Sequence, residues 1–577
     1  MKRNVLSIVL SLALLLGLTS CGSAASEAIQ IAPALASAAN GMMYSPEQAG
    51  DAAKAEYESV AAAAQQAAEA AAQAAAAYSS MAADKAVNEA ALKAAEEAVA
   101  AAQAAAESAS KAAAEAYKIF EMMSNGQGAP ILIENPFIHT AENQISTFSA
   151  DVDTASYTYF RKLMSYGWDL EEIIREAGAS IRTEEMINYF DYDYVDPIDG
   201  QLFGIKSQIG PCPWNESAVL LQLGLKADDT VSSKGNNLVF LIDVSGSMRD
   251  EDKLPLLKTA FTYLTETLSS DDVVSIVTYS GHEAVALEGC KGTYTDRILR
   301  AVNGLSAGGS TNGEAGLKKA YEIAAQYYIE GGNNRIILAS DGDLNVGIRS
   351  PEELKAFVSE QRERGIYLTT LGFGTGNYRD ANMETLADHG NGVYHYIDGA
   401  SEAEKIFGSD LLSTLYTVAE DVKLQLSFHP DAVRQYRLIG YENRLLNEED
   451  FEDDTKDAGE VGAGHTITVC YELILTDEAK FAPAITLADL DIRYKNPGED
   501  ESRLSSGQID MGTSVPAADE DFDFVASVIE FSMILHESQY VGEHSLQNVH
   551  QTLQSLSLTD PYRCEFRDMV AKLVNRK

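Results

Sequence analysis

The chain has 577 residues, of which 46% are hydrophobic, and a formal net charge of -44 at pH 7. This length predicts several domains rather than one, and the hydrophobic content is sufficient for folded cores. A surface this acidic repels nucleic acid, and no cluster of lysine or arginine offsets the charge, so the composition excludes a nucleic-acid-binding protein.

The first residues of the chain predict export and lipidation. Two basic residues precede an apolar run from Val5 to Leu18, which is short for a transmembrane helix. The run ends in Leu18-Thr-Ser-Cys21, which resembles the cleavage site of bacterial lipoproteins. The resemblance implies a signal peptide over residues 1–20 and an acylated Cys21 that holds the chain at a cell membrane or cell surface, outside the cytoplasm. An ordinary secretory signal is the alternative.

The segment that follows is low in complexity. Small and polar residues predict a flexible tether over 21–50, and a stretch rich in Ala and Glu without Gly or Pro predicts a helical spacer over 51–120. A heptad register that starts at Tyr57 gives a seam of mostly Ala, interrupted by Lys85 and Asn88. Because alanine buries little area, the sequence leaves a coiled coil, a helical hairpin and an unpartnered helix open.

Residues 143–235 predict an N-terminal region of mixed helices and strands. The two strands after the helices flank a Pro- and Asn-containing turn and predict a hairpin. The predicted elements are strands at Thr147–Val152, Phe203–Gly210 and Ala218–Leu225, and helices at Thr154–Met164 and Arg182–Phe190.

Residues 236–417 change to an alternation of strand and helix. The predicted strands are Leu238–Ile242, Val273–Tyr279, Ala284–Leu287, Arg335–Ala339, Tyr367–Gly372 and Val393–Ile397. The predicted helices are Lys253–Leu268, Asp296–Leu305, Gly313–Tyr328, Pro351–Arg364, Asn382–Asp388 and Ser401–Leu415. Continuous apolar strands that alternate with amphipathic helices are typical of a mostly parallel sheet covered on both faces. We therefore predict an α/β, doubly wound domain here.

Residues 418–577 predict a C-terminal domain that is rich in strands and then helical. Apolar residues alternate with polar ones in its strands, which predicts a small antiparallel β unit. The predicted elements are strands at Val422–Phe428, His465–Leu475 and Asp489–Tyr494, an acidic loop at Asn447–Asp457, and helices at Phe522–Leu535 and Leu546–Leu573.

Oxygen-bearing side chains follow three segments of the α/β region. Asp243, Ser245 and Ser247 come directly after the first strand, Thr311 precedes a helix, and Asp341 follows the fourth strand. Ligands of open α/β sheets bind beyond the carboxyl ends of the strands, so these side chains are expected to meet. Their carboxylates and hydroxyls suit a hard divalent cation. Because three of the five are neutral, one more anionic oxygen from a partner would complete the site.

This constellation resembles the metal-ion-dependent adhesion site of the von Willebrand factor type A domain, whose pattern is Asp-x-Ser-x-Ser, a distant Thr and a distant Asp. The resemblance implies a Rossmann-like fold, Mg²⁺ or Mn²⁺ at those five residues, and a protein partner that offers an Asp or Glu. The segments Phe148–Ser156, Glu184–Phe190, Pro211–Trp214, Arg437–Asn443 and Asp457–His465 resemble the flanking regions of a family of bacterial type A lipoproteins, whose C-terminal region has no known function. The Ala-rich spacer is not part of the resemblance.

Other motifs are weak. The run Asp341–Glu352 mimics a calcium loop, but its Gly falls one place late and a strand rather than a helix precedes it. The run Gly372–Gly376 lacks the spacing of a dinucleotide-binding loop. The remaining cysteines have no metal-ligand spacing, so the sequence leaves disulfides and buried thiols equally open; they are Cys212, Cys290, Cys470 and Cys564.

The sequence thus favours a membrane-anchored, non-enzymatic protein-binding module that depends on a metal. The alternative is a structural or assembly factor of a cell-envelope complex, in which the metal mainly stabilises the fold. A metal-dependent hydrolase is disfavoured, because the motif offers no positioned general base.

Overall fold

The structure, a computed structural model, describes residue 132 and residues 134–576, with gaps at 199, 231–233, 282, 310–312, 343–350, 375–379, 483–484, 500 and 513–518. The predicted signal peptide, Cys21, the tether, the Ala-rich spacer and Thr311 therefore lie outside the described residues. The chain divides into two compact units, Met1–Asn135 and Pro136–Lys577, and all the elements below belong to the second unit.

The elements of the described residues are numbered in chain order. The strands are β1 (Ile138–His139), β2 (Ile145–Ser149), β3 (Phe203–Pro211), β4 (Val219–Ala227), β5 (Asn236–Asp243), β6 (Val273–Tyr279), β7 (Glu283–Lys291), β8 (Asn333–Ser340), β9 (Tyr367–Phe373), β10 (Tyr394–Ile397), β11 (Thr417–Phe428), β12 (Val433–Ile439), β13 (Gly459–Gly462), β14 (Thr466–Leu475), β15 (Thr486–Lys495) and β16 (Arg503–Asp510). The α-helices are α1 (Ala155–Ser165), α2 (Leu170–Ala177), α3 (Thr183–Asn188), α4 (Leu254–Thr267), α5 (Thr295–Asn303), α6 (Gly313–Gln326), α7 (Pro351–Arg362), α8 (Asp380–His389), α9 (Ala400–Glu404), α10 (Leu411–Leu415), α11 (Glu448–Glu452), α12 (Glu520–Leu535), α13 (Leu546–Ser555) and α14 (Pro561–Asn575).

In the described part of the chain, a six-stranded sheet in the order β10-β9-β8-β5-β6-β7 forms the centre of the α/β domain. Neighbouring strands are parallel except at the edge, where β7 is antiparallel to β6. The chain starts at β5, adds β6 and β7 on one side, and then crosses to β8 on the other side of β5. The strand order therefore reverses between β5 and β8, which is the switch point at which open α/β sheets bind ligands.

Helices cover both faces of this sheet. Helices α4, α5, α9 and α10 pack into one apolar cluster, and α6, α7 and α8 into another. Every residue of β5 is buried, with Phe240 in the first cluster and Leu241 in the second. A strand buried on both faces requires such a continuous apolar run. The prediction of a doubly wound α/β domain is confirmed.

Two antiparallel sheets form a β-sandwich beside this domain. Their strand orders are β1-β12-β14-β4-β3 and β13-β11-β15-β16, and β2 also pairs with β11. Side chains of both sheets, including Leu223, Leu424 and Val469, share one apolar cluster. Strands from both sides of the α/β domain take part in each sheet, because β4 pairs with β14 and β2 pairs with β11. The α/β domain is therefore inserted between two halves of one sandwich.

A layer of helices packs against the first of these sheets. Apolar residues of α1, α3, α12, α13 and α14 form a cluster with Leu220 of β4, Ile439 of β12 and Cys470 of β14. The sheet that contains β4 is therefore buried on both faces. Among the described helices, none combines the length and the apolar character that crossing a membrane requires.

Two helices expected to be continuous are interrupted. A π-helical segment, Lys405–Ser409, separates α9 from α10. The segment predicted as one helix from Leu546 forms α13 and α14, because Asp560 accepts the backbone N–H of Arg563 and Pro561 begins the second helix. The acidic segment predicted as a loop contains α11, capped by Asn447.

The four cysteines among the described residues are free thiols. Cys212, Cys290 and Cys470 are buried and Cys564 is partly exposed. The sequence left disulfides and buried thiols open, and in the structure these four cysteines form no disulfide.

Candidate metal centre

Asp243, Ser245 and Ser247 lie in the turn that ends β5. Asp243 is the last residue of the strand, and its Oδ1 accepts a hydrogen bond from the backbone N–H of Ser245 at 2.7 Å. The hydroxyls of Ser245 and Ser247 are hydrogen-bonded to each other at 2.9 Å. A short 3-10 helix, Gly246–Arg249, follows. One carboxylate and two hydroxyls are thus held in a single tight segment at the carboxyl end of a central strand.

Asp341 lies in the turn after β8, the strand that pairs with β5. Ser340, the last residue of β8, directs its hydroxyl at Asp243 Oδ2 over 3.5 Å. The two aspartates are 0% and 1% exposed. The parallel pairing of β5 and β8 therefore brings two carboxylates that are distant in sequence to the switch point of the sheet.

The loop before α6 joins the same turn. The N–H of Gly308 donates to the carbonyl of Val244 at 2.8 Å, and the N–H of Gly246 donates to the carbonyl of Gly309 at 3.2 Å. Gly309 has a φ of 89°, a conformation that glycine adopts without strain. The described part of this loop therefore contacts the Asp243 turn, whereas Thr311 itself lies outside the described residues.

Lys253 belongs to the site although the sequence motif does not include it. Its Nζ lies 3.0 Å from Asp341 Oδ2 and donates a hydrogen bond to the carbonyl of Ser247 at 3.1 Å. Gly374, with a φ of 69°, leaves room for the lysine, because a Cβ there would overlap Lys253 Cε. One signal in the sequence could have indicated this contact. Lys253 precedes the first turn of α4, where the helix dipole disfavours a cation, so it needs an anionic partner.

The carboxylates of the site outnumber its cations. Burial raises the pKa of Asp243 to about 6, hydrogen bonds from Ser245 oppose that rise, and the charge of Asp341 adds to it. Asp341 Oδ2 is paired with Lys253, but Asp341 Oδ1 is buried without a hydrogen-bond partner among the described residues. A buried carboxylate oxygen without a partner is costly, and a second cation would satisfy it. The two carboxylates and two hydroxyls are hard oxygen ligands that fit Mg²⁺ or Mn²⁺.

Three known protein families match the chain along its length. The von Willebrand factor family matches residues 130–222, the von Willebrand factor type A domain matches residues 237–409, and the C-terminal region of the uncharacterized protein YfbK matches residues 413–575. The second match includes the strands that end at Asp243 and Ser340. Domains of this kind are protein-interaction modules and often bind a divalent metal at their adhesion site.

Individual proteins are similar as well. The uncharacterized protein YfbK of Escherichia coli K12 is 40% identical over 459 residues, which cover 75% of this chain and 78% of that protein. A von Willebrand factor type A structure from Catenulispora acidiphila is 19% identical, with a TM-score of 0.35, over 59% of this chain and 80% of that one. The structure of proximal thread matrix protein 1 from the mussel byssus, with zinc in its adhesion-site motif, is 20% identical, with a TM-score of 0.26, over 31% of this chain and 45% of that one. From the match to YfbK along most of both chains, this chain belongs to the family of bacterial proteins that carry a von Willebrand factor type A domain followed by the YfbK C-terminal region.

Proposed function

We propose that this chain is a membrane-anchored, non-enzymatic module that binds a protein partner through a divalent cation. Mg²⁺ or Mn²⁺ would be held by the five motif residues, and an Asp or Glu of the partner would complete the ligand set. The motif residues are Asp243, Ser245, Ser247, Thr311 and Asp341. The observation that carries the proposal is Asp341 Oδ1, which is buried beside the Asp243 turn and has no hydrogen-bond partner among the described residues.

The exposure of the turn indicates how a partner would approach. Asp243 and Ser245 are buried, Ser247 is half-buried and Gly246 is exposed. A partner carboxylate would therefore arrive over Gly246 and Ser247. Repulsion from the acidic surface is screened beyond about 8–10 Å at physiological salt, and a bound cation would supply the local positive charge that attracts the carboxylate.

The same side chains favour binding over catalysis. Asp243 accepts the Ser245 N–H, and Asp341 pairs with Lys253. In the proposed site both aspartates are ligands of the cation, so neither is available as the general base that hydrolysis of a bound substrate would require.

Asp243→Ala is expected to abolish Mg²⁺ binding and the metal-dependent capture of a partner. Calorimetry on the full chain measures the first, and pull-down from the membranes of the source organism, with and without a chelator, measures the second. Asp250→Ala, which removes an exposed carboxylate near the same turn, is the matched control. Capture that survives in folded Asp243→Ala would contradict the proposal and favour a structural or assembly factor.

Cys21→Ser is expected to move the protein from the membrane fraction to the soluble fraction, because the acyl chains that hold it have no thiol to join. Fractionation of cells that express each form is the measurement. A Cys21→Ser chain that stays with the membrane would contradict lipid anchoring through this residue.

A further inference from the structure

A β-bulge in the sandwich brings three acidic residues together. The pairing of β11 with β13 shifts register so that Glu420 and Asp421 both stand opposite Glu460. Asp421 has a φ of 53°, a left-handed conformation that is uncommon outside glycine. The bulge thus brings the carboxylates of two adjacent strands close together, at a point where the backbone of β11 is irregular.

Asp457, in the loop before β13, joins this group. Single carboxylate oxygens of Asp421, Asp457 and Glu460 all lie within 4.8 Å of one another. Like charges at this separation repel each other strongly wherever water is excluded. The arrangement therefore needs positive charge or protons to be stable.

Within the cluster of Asp421, Asp457 and Glu460, the two aspartates are paired with basic side chains. Asp421 Oδ2 lies 2.7 Å from Lys495 Nζ, and Asp457 Oδ1 lies 2.7 Å from Arg362 Nη1. The imidazole of His389 is 3.8 Å from Asp457. Each of these aspartates keeps lone pairs that could bind a further cation.

Among the described residues, Glu460 forms no direct ion pair with these basic groups. Glu460 is 7% exposed, and its Oε1 has no hydrogen-bond partner among the described residues. Burial raises its pKa well above the ordinary value, and the charges of Asp457 and Asp421 raise it further. Asp388 and Glu420 add further negative charge, whereas Arg335 and Arg362 interact with Glu460 electrostatically without pairing with it.

We propose that Asp421, Asp457 and Glu460 form a second divalent-cation site, separate from the Asp243 turn, and that its ion is Ca²⁺. Calcium takes six to eight oxygen ligands in flexible geometry, which a set of carboxylates on a bulge and a loop can supply together with water. Arg362 belongs to α7 of the α/β domain, whereas the three carboxylates belong to the sandwich. The ion therefore stabilises the sandwich edge at the place where the inserted domain contacts it.

Calcium titration of the full chain in the Asp243→Ala background tests this site without the first one. We expect Asp243→Ala to bind Ca²⁺. Adding Glu460→Gln should weaken that binding by about tenfold or more, because the change removes a negatively charged ligand of the ion. Calcium should also raise the melting temperature of Asp243→Ala, but it should not raise that of the variant that carries both Asp243→Ala and Glu460→Gln. Asp243→Ala with Asp453→Asn, which removes an exposed carboxylate of the same acidic segment, should bind Ca²⁺ as before.

The amide of Glu460→Gln has the shape of the protonated acid, so this variant is expected to fold, and circular dichroism in chelator checks that it does. Asp457→Asn, on a more exposed position, gives a second measurement of the same loss of affinity. The proposal is overturned if Asp243→Ala binds no Ca²⁺, or if Glu460→Gln and Asp457→Asn both leave the affinity unchanged. If Asp243→Ala binds no Ca²⁺ and the added change Glu460→Gln leaves its melting temperature in chelator unchanged, Glu460 is protonated rather than a metal ligand.

Discussion

Replacing Arg161 by methionine is expected to lower the free energy of unfolding by about 3–5 kcal/mol, the usual effect of removing one partner from a buried ion pair. The guanidinium of Arg161, on α1, lies 2.6 Å from Asp398 and 2.7 Å from Glu402, and its side chain is 8% exposed. It also reaches Glu565 of α14 at 3.0 Å. One side chain thus joins α1, the α/β domain and the C-terminal helices.

The effect of Arg161→Met is expected to grow as the pH rises. Burial raises the pKa of Glu402, and the positive charge of Arg161 opposes that rise. Without Arg161, the folded chain holds a proton on Glu402 that the unfolded chain releases above the ordinary pKa of glutamate. That contribution to stability is present at low pH and is lost as the pH rises through the folded-state pKa. Urea unfolding at about pH 5 and about pH 8 measures the difference.

Arg175→Met is the matched control for this experiment. Arg175 pairs with Glu176 on the surface, where the two side chains are 65% and 53% exposed, so its loss should not shift the unfolding midpoint measurably. If Arg161→Met unfolds at the same urea concentration as Arg175→Met, the buried network does not hold the three parts of the structure together.

The sequence predicts the α/β domain well because its signals are local. A strand such as β6 is a mostly apolar segment bounded by polar turns, and its predicted bounds, Val273–Tyr279, are those of the structure. The meeting of Asp243 with Asp341 also follows from a general rule, since parallel strands end at the same edge of a sheet. Both inferences need only the pattern within a segment and the order of segments.

The sandwich and Lys253 could not be predicted in the same way. Alternating apolar residues in β4 and β14 show that each strand has a buried face, but they do not say which strand lies alongside. The contact between Lys253 and Asp341 joins the start of α4 to the turn after β8. It also depends on the space that the absence of a side chain at Gly374 leaves for the lysine. The place of Lys253 before a helix indicates that it needs an anionic partner, but tertiary packing decides which carboxylate it contacts.

Replacing Lys253 by methionine is expected to raise the affinity for Mg²⁺ by about tenfold or more. The ammonium of Lys253 lies 3.0 Å from Asp341 Oδ2, so it competes with a metal ion for that carboxylate and would repel the ion once bound. Tenfold corresponds to about 1.4 kcal/mol, which is modest beside the interaction of neighbouring like charges near a protein surface. Methionine keeps an apolar side chain against Gly374. Calorimetry with Mg²⁺ on the full chain is the measurement.

The stability of the metal-free protein should move in the opposite direction. Without Lys253, Asp341 Oδ2 loses its cation, and the buried carboxylate then has no ion pair among the described residues. Lys253→Met should therefore melt at a lower temperature than the wild type in chelator and recover when Mg²⁺ is added. Lys253→Arg, which keeps the charge, should leave the affinity near that of the wild type. Weaker Mg²⁺ binding by Lys253→Met would contradict this account, and would show that the bond from Lys253 to the Ser247 carbonyl positions the turn more strongly than its charge opposes the ion.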